Sequence, residues 1–220
     1  MGVVIRKSRC RYSALIPLTF FTALNSGKKT GIYYIDSTKL PACHDKRAKR
    51  NKVFAKLADY GKSSMGWFFG LKLHVIVNNN GELMAFKITP GNIDDRKAVK
   101  TLSKSLKGLL FGDKGYIGKK LSEQLLEEGI KLITKVRKNM KKPILKQTEN
   151  DLLNQRGIIE TVFDYLKNKF IIWHTRHRSV VNAMVHLIAA LASYTIEPMK
   201  ITAIKKLRDN SNKNELVSLC

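Results

Sequence analysis

Seven residues, Ile32 to Thr38, constrain this chain more than any others: Ile-Tyr-Tyr-Ile-Asp-Ser-Thr, β-branched and aromatic, bounded by Gly31 and Pro41. The run reads as a short buried strand. It carries one carboxylate, Asp36, near its end. An ionised carboxylate taken out of water must be neutralised by a cation, a metal or a proton. The plainer alternative is an aspartate just past the strand, accepting from the amides of Ser37 or Thr38 in a turn. Its company further along the chain decides between the two.

A chain of 220 residues has room for one substantial domain. Lys and Arg number 41 against 17 Asp and Glu, for a net charge of +24 and a pI near 10.1. That excess predicts a polyanionic partner. It also makes every carboxylate in an apolar context informative, because there are so few. Cys10, Cys43 and Cys220 are odd in number and far apart, which fits a reducing cytoplasm better than a disulfide framework. The basic start followed by Ala14 to Leu24 imitates an export signal, but the free cysteines and the charge of the remainder argue against export. Val180 to Ile196 is shorter than a membrane span and contains Asn182, His186 and Ser193, so it reads as an apolar packing helix.

In chain order, residues 1–30 form a partial N-terminal segment, helical or irregular. Lys39 to Lys62 reads as a charged excursion, a solvated loop or a DNA-contacting one. Trp67 to Asn78 and Glu82 to Thr89 read as a hairpin around Asn79, Asn80 and Gly81. Asp94 to Leu106 is helical, and Leu109 to Gly112 is a fourth short strand that ends at Asp113. A helix from Lys119 to Glu128 stops at Gly129, a strand spans Ile130 to Val136, and a helix spans Asp151 to Phe170. Ser179 is placed to cap the last helix. The expected architecture is α/β: a ribonuclease H-like mixed sheet over 31–198 with flanking helices and a C-terminal apolar packing helix, followed by a flexible basic tail over 199–220.

Three acids occupy special points of that order: Asp36 on the first strand, Asp113 at the tip of the fourth, Glu160 on the long helix. In such a sheet the first and fourth strands run side by side and parallel, so their aspartates converge, and a crossing helix adds Glu160. Oxygen-only ligands without a well-placed Cys or His favour Mg²⁺ or Mn²⁺. Two such ions flanking a phosphate would activate a water or 3′-hydroxyl and stabilise the departing oxygen. Arg156 and Lys167 stand four before and seven after Glu160, on one helical face, although an Arg156–Glu160 surface ion pair is the plainer reading of that spacing.

Gly112-Asp113-Lys114-Gly115-Tyr116, the Ile-Asp-Ser-Thr around Asp36, and Arg156, Glu160 and Lys167 resemble the three catalytic motifs of DDE-type transposases of bacterial insertion sequences. The likeness is nearest to insertion sequence family 982, which shares stretches like Gly61 to His74, Thr89 to Arg96 and His174 to Ser179. It extends from about Ala14 to Pro198. The resemblance implies a DDE catalytic domain in which Asp36, Asp113 and Glu160 bind the metal ions and Arg156 and Lys167 contact the DNA backbone. Leu153 stands where the broader signature has Tyr. Relatives begin with a further DNA-recognising helical segment, so the resemblance implies an N-terminally truncated copy.

The expected function is therefore DNA transposition: metal-dependent hydrolysis of phosphodiesters at element ends, then strand transfer. Lys114, Arg137, Arg156, Lys167, Arg176 and Arg178 are the expected DNA contacts, with DNA and a second copy of the chain as partners, no membrane, and a cytoplasmic, nucleoid-associated location. Two rivals remain: a catalytically silent remnant that binds DNA through charge alone, and a ribonuclease H-like nuclease. Trp67, Phe68 and Phe69 read as core more readily than as a base-stacking platform, and His74 as structural.

Overall fold

The computed structural model describes residues 9–63, 66–136, 139–140, 145–173 and 177–197. The expectations for Arg137, Arg176 and the tail over 199–220 lie outside the described residues.

Six strands form one sheet: β1 (Ile32–Pro41), β2 (Asp59–Ser63), β3 (Gly66–Asn78), β4 (Leu83–Pro90), β5 (Gly108–Gly112) and β6 (Ile130–Thr134). Their order is β2-β3-β1-β5-β6, with β4 also paired to β3. The β1–β3 and β3–β4 pairs are antiparallel, whereas β1–β5 and β5–β6 are parallel. Among the described residues six helices accompany them: α1 (Arg9–Leu24), α2 (Arg96–Ser103), α3 (Lys119–Glu127), α4 (Gln147–Asn154), α5 (Gly157–Lys169) and α6 (Val180–Ile196). This is the mixed sheet with flanking helices that the residue pattern predicts.

Because side chains alternate across a strand, β1 feeds two cores at once. Tyr34 joins Leu73, Val75 and Phe111 beneath Ile159, Val162 and Leu166 of α5 and Leu191 of α6. Tyr33 and Ile35 face the other way, against Ala98, Val99 and Leu102 of α2 and Leu125 of α3. Tyr33, Tyr34 and Ile35 are at most 1% exposed, and complete burial of a large apolar side chain contributes roughly 1.5–3 kcal/mol. The strand is thereby pinned from both faces, and Asp36 is the next residue along it.

Two glycines set the alignment of β1 with β5. Gly31 and Gly108 adopt φ of +80° and +118°, the left-handed region that side chains avoid. A Cβ on Gly108 would meet the Gly31 carbonyl oxygen at 2.2 Å, and the Leu109 amide donates to that same carbonyl at 2.8 Å. The two strands consequently begin in contact, with Tyr34 opposite Phe111.

Several local expectations change. The segment Lys39 to Lys62 is not wholly an excursion: β1 runs on to Pro41, Asp45–Arg50 is a 3-10 turn, and β2 adds an edge strand. The spacing of charged residues hid β2, which buries only Gly61. The helix expected over Asp151 to Phe170 is two helices, α4 and α5, broken at Gln155 and Arg156. Gly157, a poor helix interior residue, begins the second. Ser179 does occupy the N-cap of α6, but its side chain makes no capping hydrogen bond. Phe68 and Phe69 are buried as expected, whereas Trp67 is 63% exposed beside Lys62. His74 is fully buried, bonded through Nε2 to Thr89 Oγ1 at 2.8 Å. Among the described residues no helix is long and apolar enough to cross a membrane.

Candidate active site

The parallel pairing of β1 and β5 sets Tyr33 opposite Leu110 and Tyr34 opposite Phe111. Carried two residues further, the register sets Asp36 beside Asp113, on the sheet face that α5 covers. The ladder itself ends at Tyr34 and Phe111, and Asp113 beyond it is near enough for its charge to raise the Asp36 carboxyl. Asp113 ends β5 in an extended conformation and precedes a 3-10 turn, Lys114–Tyr116, whose Tyr116 amide donates to its carbonyl at 3.0 Å. Glu160 lies in the first turn of α5.

Arg156 joins the group. Its Nη2 donates to Glu160 Oε1 at 2.8 Å and its Nη1 to Asp36 Oδ2 at 3.4 Å, so one guanidinium spans an acid from the sheet and an acid from the helix. Asp36 also accepts from the Ser37 amide at 2.8 Å. The side chains of Arg156, Asp36 and Glu160 are 12%, 24% and 59% exposed, which makes the arginine the most enclosed of the three.

Burial pushes the Asp36 carboxyl up to about 6 from the ordinary 3.8. The charges of Asp113 and Glu160 push the same way, while the Ser37 amide and Arg156 pull it down. Loss of hydration is therefore the chief cost of ionising Asp36, and the Ser37 amide and Arg156 offset only part of it. One arginine shared between two acids does not correct this.

The donors suit a hard divalent ion. They are carboxylate oxygens, and the charge on Asp36 is only partly offset by Arg156. They are not gathered around one point, however: among the described residues no group of three His, Cys, Asp or Glu is close enough to hold an ion.

Of the cations expected at the site, Lys114 is exposed immediately after Asp113, and Lys167 stands on α5 with its Nζ 5.9 Å from the Phe163 ring. Arg178 is exposed just ahead of α6. Residue spacing did not reveal a further basic element. An open groove of about 480 Å³, lined by Asp94, Arg96, Lys97, Gly118, Lys119 and Lys120, lies where α2 and α3 begin. Arg96 is held there by Asp94, and Lys119 and Lys120 are exposed six and seven residues beyond Asp113. Only folding brings 94–97 to 118–120, although the paired lysines after Gly118 were a visible signal.

Over residues 26–180 the chain matches the family model described as the transposase DDE domain. No curated protein matches it. Among solved structures it is similar to the piggyBac transposase, seen by cryo-electron microscopy in a synaptic complex with hairpin DNA. The TM-score is 0.51 at 10% identity, and the match covers 94% of this chain. It spans 59% of the piggyBac chain, a likeness of fold.

Proposed function

Because this chain belongs to the transposase DDE domain family, we propose that it carries the catalytic domain of an insertion-sequence transposase, of the family 982 type, which cuts phosphodiesters at element ends and joins the freed ends to target DNA. The observation that supports this most directly is the β1–β5 register, which runs Asp36 beside Asp113 on the face where α5 carries Glu160. In the cutting step a water oxygen bonds to phosphorus, the P–O3′ bond breaks, and the departing 3′ oxygen ends as a hydroxyl. In the joining step that hydroxyl attacks a target phosphorus, loses its proton, and displaces the target's own 3′ oxygen.

Transposase DDE domains depend in general on divalent metal. In this chain Asp36, Asp113 and Glu160 would hold Mg²⁺ or Mn²⁺, two ions in our reading, supplying charge stabilisation at the reacting phosphate. The remaining work belongs to cations: Lys114, beside Asp113, and Lys167, two turns beyond Glu160, grip the backbone, with Arg178 and the Arg96–Lys120 groove extending the track. Arg137 and Arg176 complete the proposed DNA contacts. With a net charge of +24, binding should weaken steeply with salt. A cytoplasmic, nucleoid-associated protein acting as a homo-oligomer on DNA follows from the same reading.

One observation favours a second reading, a chain that binds DNA without cutting it: the acids are not gathered around a single point among the described residues. Nicking of element-end DNA in Mg²⁺ or Mn²⁺ separates the two. Asp113→Asn and Glu160→Gln should each reduce nicking by at least 100-fold, the order of loss expected when a group that stabilises the reacting phosphate is removed. Cleavage that persists in both variants rejects the catalytic reading, and equal cleavage of RNA–DNA hybrids would favour a general ribonuclease H-like nuclease.

A further inference from the structure

We propose that Arg156 is a resident counter-ion that keeps the divalent metal's place between the acids until DNA draws it away, so that gripping DNA and loading metal are linked through one side chain. The proposal rests on the metal-dependent reading above and adds to it a mechanism of control.

Three observations carry it. First, the guanidinium stands where a cation shared by Asp36 and Glu160 would stand, at 3.4 and 2.8 Å from their oxygens. A divalent ion bridging the same oxygens and this arginine cannot both be present. Second, Arg156 is poorly satisfied in that position. Only its bond to Glu160 is short, its bond to Asp36 is long, and its buried Nε finds no hydrogen-bond partner among the described residues. A phosphodiester offers the forked, charge-assisted match that the two acids, on different elements, do not. Third, the backbone allows departure. Arg156 sits at the break between α4 and α5, its amide reaches Leu153 O only at 3.4 Å, and a Cβ built on Gly157 would meet nothing within 4 Å.

The consequence is reciprocal coupling. DNA that takes Arg156 unmasks the acids, and metal on the acids releases Arg156 to DNA, each strengthening the other by the same factor. Without DNA the guanidinium stays on the acids and the metal is held weakly, which restrains cutting by a free chain.

The test is Mn²⁺ binding to the DNA-free full chain, followed by calorimetry, for wild type, Arg156→Met, Arg156→Lys and Asp113→Asn, each checked for folding by circular dichroism. Arg156→Met should bind Mn²⁺ more tightly than wild type, by about 5- to 150-fold, the usual range for coupled sites. Arg156→Lys, which keeps the charge but cannot fork across both acids, should fall between them. A residue that merely braced the acids would give the opposite sign, so weaker or equal binding in Arg156→Met overturns the proposal. In a second arm, fluorescence anisotropy follows a short duplex with and without Ca²⁺ at constant ionic strength. Ca²⁺ should tighten DNA binding by wild type and leave Arg156→Met unchanged, and equal responses overturn the coupling. Asp113, which does not touch Arg156, separates the two levels of failure. If Asp113→Asn binds Mn²⁺ as wild type does, the acids are not the metal site and the functional reading fails with the proposal. If Asp113→Asn abolishes binding while Arg156→Met leaves it unchanged, only the counter-ion role is lost.

Discussion

The charge on Asp36 should cost this fold stability, and Asp36→Asn measures how much. Its carboxyl is pushed from the ordinary 3.8 up to about 6, chiefly by burial and then by the neighbouring Asp113 and Glu160. Between those two pH values the folded chain still holds a proton that the unfolded chain has released. Stability from this group is therefore fully present below 3.8 and is lost as the pH rises through about 6. A gap of about two pH units corresponds to about 3 kcal/mol. Asparagine has the same shape and no charge, so the variant escapes that loss. For a domain of this size about 3 kcal/mol is roughly 6–12 °C in Tm. The loss of the 3.4 Å contact from Arg156 offsets part of the gain, leaving Arg156 its shorter bond to Glu160. Thermal unfolding of both proteins in chelator from pH 4 to pH 8 should give curves that coincide at pH 4 and separate as the pH rises, with the variant the more stable. Parallel curves would refute the argument, because they would mean that ionised Asp36 is not penalised where it stands. The variant that stabilises the fold should also lack the activity, since the same unbalanced charge is what a metal would use.

Two further outcomes concern His74 on β3 and the start of β5. Burial holds His74 neutral, lowering its affinity for a proton below the ordinary 6.5, so its stability is full above 6.5 and is lost as the pH falls below it. His74→Gln, which cannot charge and still faces Thr89, should flatten the acid limb of a urea-midpoint profile. The effect should be clearest in the Asp36→Asn background, where the opposing slope of Asp36 is gone. Gly108→Ala places a side chain at φ +118° against the Gly31 carbonyl and should destabilise by about 1–3 kcal/mol or more, while misaligning Asp113 against Asp36. An unchanged urea midpoint would show that this approach does not set the register.

Much of the architecture could be read from local chemistry. The run at Ile32–Thr38, the Asn-Gly turn after Asn78 and the glycine stop at Gly129 each state their structure within a few residues, because alternation, positive φ and helix termination are short-range properties. Asp36 and Asp113 were visible as acids at strand ends in a chain poor in acids. The short strand β2 was hidden, since an edge strand that buries one glycine carries almost no apolar pattern. The break at Arg156 was hidden too, because Leu152 and Ile159, seven residues apart, stay in helical phase across it.

What residue order determined by itself was which side chains are available: three isolated carboxylates, a large cationic surplus, and the strands and helices that carry them. What the tertiary structure alone decided was their mutual placement. The Gly31–Gly108 approach selects one register of β1 on β5 and thus sets Asp36 beside Asp113, 77 positions apart in the chain. The turn into α5 then directs the Arg156 guanidinium at the acids rather than away from them. Helical spacing supplied the Arg156–Glu160 pair but not the bond to Asp36, which depends on how closely a helix packs on a sheet and is written in no single segment.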